Sequence, residues 1–231
     1  MNTKVKKTMK NKSIILLSGG LDSLVSLGLT KEELNITLAI TFDYGQKSAN
    51  DEISASEKIC KYYNLEHEII KLDFLEKITN TALVSSSQIP SGQSLKDEKQ
   101  SAKSVWVPNR NGLFLNIAGA YADSFGYNHI VIGANKEEAQ TFPDNTKEFI
   151  DSVNQEFKHS TNVHPKVVTP LINYVKNDIV MLALSNNIPL ELTMSCYQGG
   201  GRHCGICESC TRLKHALEFN NANEYIEKIF G

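Results

Sequence analysis

Ser13-Ile14-Ile15-Leu16-Leu17-Ser18-Gly19-Gly20-Leu21-Asp22-Ser23 is the stretch on which the reading of this chain turns. The aliphatic residues Ile14 to Leu17 run without a polar interruption, which suits a strand covered on both faces, as in a parallel sheet. A strand is expected over Ser13–Leu17. Gly19 and Gly20 permit a tight turn, and Leu21, Leu24, Val25, Leu27 and Gly28 then recur at helical spacing as far as Leu29. The order is strand, glycine turn, helix. Glycines at that junction reach positive φ and let the main chain approach an anion, while the helix start offers N–H groups and the positive end of its dipole. Ser18 and Ser23 add hydroxyls, and Asp22 suits either a magnesium ion or a helix cap. Two familiar phosphate loops are excluded: no lysine follows until Lys31, and G-x-G-x-x-G is absent. A serine-lined pocket without lysine suits a released pyrophosphate better than transfer of a γ-phosphoryl group.

Outward from this stretch the pattern repeats. Asn35–Phe42 alternates Ile36, Leu38, Ile40 and Phe42 with smaller residues and reads as a second strand. A helix over Ser48–Asn64 and a third strand over Glu66–Leu72 follow. Further on come a helix over Arg110–Phe125, a strand at His129–Gly133, a helix over Asn145–His159, a short strand at Val167–Leu171 and a helix over Asn173–Asn186. Strands alternating with helices predict an α/β fold, an open parallel sheet with right-handed crossovers. Thr79–Lys103 breaks the period, holds Pro90 and Gly92, and is expected to be a long surface loop. Residues 1–194 are expected to form the α/β domain and 195–231 a C-terminal metal-binding and helical appendage, with a short helix over Thr211–Phe219.

The chain has 231 residues, with 24 Lys plus Arg against 26 Asp plus Glu and a net charge of −2. That balance argues against a domain that grips nucleic acid by charge alone, which would run strongly basic. No apolar run approaches the roughly 18–20 residues that cross a bilayer. The lysine-rich start precedes too short an apolar stretch for an export signal, so a cytoplasmic, reducing location is expected. In that setting Cys196, Cys204, Cys207 and Cys210, spaced C-x7-C-x2-C-x2-C, read as metal ligands. Two residues between thiolates let a tight turn present both sulfurs to one tetrahedral ion, and four thiolates close its shell, so structural zinc leads. An iron–sulfur cluster also accepts four thiolates, and disulfides are a third reading. Cys60, beside Ile59 in a helix, is expected in the core.

Four further motifs stand in order: Tyr44-Gly45-Gln46, Val107-Pro108-Asn109-Arg110-Asn111, Thr169-Pro170-Leu171-Ile172 with Lys176, and Ser195-Cys196-Tyr197 before Cys204-Gly205-Ile206-Cys207. With S-G-G-L-D-S after the first strand, the chain resembles the QueC family, the 7-cyano-7-deazaguanine synthase branch of the PP-loop ATP pyrophosphatases. The resemblance spans residues 13–212. It implies an adenine nucleotide alpha hydrolase-like sheet with helices on both faces, plus a small zinc knuckle.

It also implies a ligase that joins ammonia to 7-carboxy-7-deazaguanine in queuosine or archaeosine biosynthesis. ATP and magnesium would be used, no nucleic acid or membrane would be a partner, and the protein would be a homodimer. By the same resemblance, Leu17, Ser18, Gly19, Gly20, Asp22 and Ser23 would hold ATP phosphates and magnesium. Tyr44 and Gln46 would frame the nucleotide, and Arg110, Asn111, Asp144 and Glu148 would meet the acid. Asp22, Ser23, Arg110 and Lys176 would carry the chemistry, with Lys176 against pyrophosphate. The chain departs from the family at Phe142-Pro143-Asp144-Asn145-Thr146, where the common pattern is Y-P-D-C-R. That departure leaves open transfer to a protein or other amine. A tRNA-modifying relative and a non-catalytic nucleotide sensor are the remaining alternatives.

Overall fold

The first strand owes its place to its lack of polar residues. In the computed structural model, which describes residues 12–85, 87–92 and 103–231, β1 (Ser13–Leu16) is buried along its whole length. Side chains of a strand point alternately to opposite faces. Ile14 and Leu16 accordingly enter one core, and Ile15 and Leu17 the other. Burying each such side chain contributes about 1.5–3 kcal/mol, so β1 anchors both layers.

Around it lie β2 (Ile36–Asp43), β3 (Glu66–Lys71), β4 (His129–Val131) and β5 (Lys166–Val168). The five strands run parallel in the order β3-β2-β1-β4-β5. On the face of Ile14 sit α4 (Arg110–Phe125), through Leu115, Ala118 and Ala122, and α6 (Lys147–Ser160), through Ile150, Val153 and Phe157. Gly119 lets those two helices close up, because a Cβ there would stand 2.8 Å from the Phe157 ring. On the face of Ile15 sit α1 (Leu21–Leu34), α2 (Ala49–Tyr63) and α7 (Lys176–Ser185). Asn35, Asn64 and Gly126 close α1, α2 and α4 in the left-handed conformation favoured at helix ends.

Some boundaries moved for local reasons. The last strand stops at Val168, since Pro170 has no N–H for a ladder. The helix expected from Asn173 starts at Lys176, where Asp178 accepts from the Val175 N–H. The one expected from Asn145 starts at Lys147, because Pro143–Asn145 forms a 3-10 turn and Thr146 caps the helix. Three short helices, α3 (Asp73–Ile78), α5 (Lys136–Ala139) and α9 (Asn223–Phe230), were not expected. The helix near the C-terminus, α8 (Glu208–Phe219), begins three residues early. Within 79–103, residues 86 and 93–102 lie outside the described residues. The rest is not all surface: Ala82, Leu83 and Ile89 are buried in the Ile14 core.

From residue 195 on, the chain enters both layers. Cys196, Cys207 and Cys210 pack in the Ile14 core, and Leu213, Ala216, Leu217, Ala222 and Ile229 in the Ile15 core. No helix among the described residues is long and apolar enough to cross a membrane.

Strand order reverses between β1 and β4, and the crevice outside the strand ends at such a switch is where ligands of open α/β sheets bind. The glycine turn after β1 lies there.

Candidate functional site

A cavity of about 220 Å³ opens at the carboxyl ends of β1, β2 and β4. Leu17, Ser18, Gly20, Asp22 and Ser23 line its floor. Gly19 is buried behind them at φ +73°, and a Cβ there would lie 2.8 Å from both Ala55 Cβ and the Glu52 carbonyl oxygen. Only glycine fits that position. Ser23 Oγ donates to the Gly20 carbonyl at 3.0 Å and lies 3.2 Å from Ser18 Oγ, so the turn holds its two hydroxyls together. The N-cap residue Gly20 has no side chain to cap α1, and the first amide, Leu21 N–H, donates instead to the Ser195 hydroxyl at 3.2 Å.

Asp22 pairs with Lys176 across the crevice through one carboxylate oxygen. Its other oxygen, Oδ1, is buried and has no hydrogen-bonding partner among the described residues. Burial pushes the Asp22 carboxyl up and Lys176 pulls it back, while Glu138 and Glu137 push it further up. Burial works against the Lys176 charge, yet Asp22, Glu138 and Glu137 together hold its pKa above the ordinary value. Glu138 stands 3.8 Å from Lys176 Nζ. Arg212 completes the rim, 2.6 Å from Glu208 and 3.7 Å from Glu137. An orphaned carboxylate oxygen beside a retained lysine suits a cation on one side and an anion on the other.

Arg110, at the start of α4, donates from Nη1 to the Tyr44 hydroxyl at 3.0 Å, with its guanidinium 5.7 Å from the Tyr44 ring centre. Burial pushes the Tyr44 hydroxyl pKa up, and Arg110 works against that. Gln46 does not line the cavity. It accepts from the Tyr44 N–H at 2.9 Å and donates to the Phe42 carbonyl at 3.1 Å and to Glu52 at 3.0 Å, so it shapes the turn that presents Tyr44. Phe42 and Phe114 stack at 3.9 Å, 7° from parallel, and give the cavity a flat apolar wall.

Glu52, half-buried, also lines the cavity. Burial raises its carboxyl pKa from 4.5, against the hydrogen bonds from Ser48 and Gln46. The folded chain therefore keeps a proton that the unfolded chain releases, and stability falls as pH rises above 4.5. In Glu52→Gln the amide oxygen can face Gln46 and its nitrogen the Ser48 hydroxyl. Melting temperatures measured at rising pH are expected to fall less steeply in that variant than in the wild type.

The Sγ atoms of Cys196, Cys204, Cys207 and Cys210 all lie within 4.8 Å of one another, and all four cysteines are free of disulfides. The Cys196 and Cys204 sulfurs accept from the N–H groups of Cys204 and Cys207 at 3.4 and 3.3 Å, as thiolates in a knuckle do. Tetrahedral zinc with Zn–S near 2.3 Å sets its sulfurs about 3.8 Å apart, within that limit. An iron–sulfur cluster would put its own irons and sulfides between the thiolates and spread them further. The donor set fits one tetrahedrally coordinated ion.

A family model described as "Queuosine biosynthesis protein QueC" matches residues 12–221. The chain belongs to the QueC family. Relatives named 7-cyano-7-deazaguanine synthase include that of Carboxydothermus hydrogenoformans, 50% identical over 209 residues, covering 89% of this chain and 97% of the relative. That of Methanosarcina mazei is 47% identical over 216 residues, covering 90% and 94%. Among solved structures, the U34-tRNA thiolase NcsA from Methanococcus maripaludis with its [4Fe-4S] cluster superposes with TM-score 0.50 at 19% identity, covering 95% of this chain and 67% of that one. A 4-thiouridine synthetase–RNA complex with bound ATP gives TM-score 0.50 at 17% identity, covering 95% and 53%. At those identities the likeness is one of fold.

In this QueC chain the F-P-D-N-T departure is locally self-consistent. Thr146 caps α6 by accepting from the Phe149 N–H at 3.2 Å, and Asn145 donates to Asp144 at 3.1 Å. Asp144 lines a small pocket beside the main cavity, next to Arg110, and accepts from the Asn111 N–H at 3.0 Å, which fixes the start of α4; burial raises its carboxyl pKa. Asn111 lines the cavity beside Arg110. Glu148 is exposed on α6 and does not line it. Glu148→Gln is expected to leave turnover within about twofold, as a surface change worth under about 0.5 kcal/mol should, which steady-state kinetics will show. Glu52, Glu138, Ser195, Tyr197 and Arg212 line the cavity of this QueC chain without having been expected there.

Proposed function

We propose that the chain converts 7-carboxy-7-deazaguanine and ammonia to 7-cyano-7-deazaguanine, cleaving ATP to AMP and pyrophosphate. The reading is carried by one observation: the serine-lined turn after β1 opens into the cavity with the Asp22–Lys176 pair beside it. The carboxylate oxygen of the acid attacks the α-phosphorus and pyrophosphate leaves. Ammonia then attacks the acyl carbon, AMP departs with the former carboxylate oxygen, and the amide results. A second ATP activates the amide oxygen in the same way, and loss of AMP and protons leaves the nitrile.

In this reading Leu17, Ser18, Gly19, Gly20 and Ser23 cradle the departing phosphates, and the Lys176 charge offsets theirs. Asp22 Oδ1 is the oxygen that would hold magnesium, which supplies charge neutralisation on the phosphates. Arg110 steadies the substrate carboxylate, with Tyr44 holding its fork in place and Asn111 beside it. The Phe42–Phe114 wall suits a flat base. The four thiolates would hold zinc in a structural role, consistent with a reducing, cytoplasmic setting, and the active species would be a homodimer without nucleic acid or membrane.

The test is incubation with ATP, magnesium, ammonia and 7-carboxy-7-deazaguanine. Two AMP and two pyrophosphate per nitrile, identified by mass, are expected. Formation of ADP, AMP release only with RNA, or a demand for a protein amine as acceptor would each overturn the reading.

A further inference from the structure

The segment Thr193–Ser195 lies directly against the glycine turn. The Met194 N–H donates to the Gly19 carbonyl at 2.7 Å, and Thr193 Oγ1 reaches the same oxygen at 3.4 Å. Ser195 Oγ accepts from the Leu21 N–H, the first amide of α1, at 3.2 Å. A trans peptide points its C=O and N–H in opposite directions. Anchoring the Gly19 carbonyl on Met194 therefore turns the Gly20 N–H of the same peptide towards Ser18 and the crevice. If that peptide turned over, a carbonyl would face the anion instead of an amide. Ser195 itself is fixed from the other side: its N–H donates to His203 Nε2 at 3.0 Å, and the next residue is Cys196. One short segment thus joins the cysteine knuckle to the polarity of the anion turn.

We propose that Ser195 is a positioning residue for the anion turn, and that a metal held by the four thiolates sets nucleotide affinity through it. This rests on the nucleotide site argued above. Without the ion, the knuckle loses what closes it, while the helices α8 and α9 keep their own apolar packing in the Ile15 core. The turn is expected to lose its anchoring before the sheet loses its fold.

The experiment is calorimetric titration with α,β-methylene ATP and magnesium on metal-loaded protein, on chelator-stripped protein, and on loaded Ser195→Ala and Ser195→Thr. Ser195→Ala is expected to bind about tenfold more weakly with metal content and melting temperature unmoved, and Ser195→Thr to restore most of that loss. Stripping is expected to weaken wild-type binding at least as much and to add little in Ser195→Ala. Should circular dichroism show that stripping unfolds the chain, His203→Leu replaces it, keeping all four thiols and removing the acceptor for the Ser195 N–H; weakened binding with metal retained is then expected. Wild-type affinity in Ser195→Ala, equal stripping losses in both backgrounds, or unchanged binding in His203→Leu would overturn the proposal. Failure of the loaded wild type to bind the analogue would instead overturn the nucleotide site itself.

Discussion

Lys176→Met is expected to lower AMP formation roughly 10²–10³-fold, the loss typical when one preorganised charge-stabilising donor is removed. The side chain is largely shielded, 13% exposed, and pairs with Asp22, itself 17% exposed. With the cation gone, Asp22 faces Glu138 and Glu137 with no positive neighbour of comparable reach among the described residues. Removing one partner of a shielded pair costs about 3 kcal/mol, or roughly 6–12 °C of melting temperature in a chain of this size. Stability and catalysis separate in the double variant. Lys176→Met with Asp22→Asn removes the stranded charge, so melting temperature should recover while AMP formation, which in the proposed reading needs Asp22 as well as Lys176, stays low. Parallel recovery of both would show that the lysine serves the fold alone. Unchanged turnover in the single variant would remove it from the chemistry.

Gly19→Ala is the second large effect, and Gly126→Ala its control. Both glycines sit at positive φ, +73° and +74°, so alanine pays about 1 kcal/mol for the left-handed backbone at either. At Gly126 nothing lies within 4 Å of the new Cβ, and the cost should end there. At Gly19 the new atom meets Ala55 Cβ and a backbone oxygen of α2 at 2.8 Å, neither of which swings aside. Overpacking of that kind adds about 1–3 kcal/mol. The expected drop in melting temperature is several times that of the control, and nucleotide binding by calorimetry should fall below detection as the turn moves off α2. Equal melting shifts in the two variants would mean that the turn yields freely and does not owe its shape to this contact.

The fold was legible where a signal was local. Ile14–Leu17 lacks any polar break because both faces of β1 are covered, whereas β2 shows itself by alternation and the half-exposed edge strand β3 carries polar residues through most of its length. Asp73–Ile78 and Lys136–Ala139 are one or two turns long, too short for a period to show; the first is held by the buried Leu75 and the second by the Asn135 side chain, which accepts from the Glu137 and Glu138 N–H groups. The site was half legible. Ser18 to Ser23 and the four cysteines announce themselves by spacing, since each set bonds within a short loop. Glu52, Glu138 and Tyr197 come from three separate elements and meet only through the topology, so no spacing marks them. Ser195 carried one clue, its place beside Cys196 in a quoted motif. Its hydroxyl, though, works on an amide 174 residues away. Asp144 and Glu148 read as substrate contacts because an acid near a helix start suits one; the fold places one at the start of α4, accepting from the Asn111 N–H, and the other on the exposed face of α6.

That reach across the sequence orders events during synthesis. The opening strand leaves the ribosome first, but its turn is finished only when a segment 174 residues later has emerged. At about 5–20 residues per second that is a delay of roughly 10–35 s. In the proposed reading, ATP therefore has nothing complete to bind on a nascent or prematurely ended chain, and such fragments gain none of the stability that ligand binding would confer on the finished molecule.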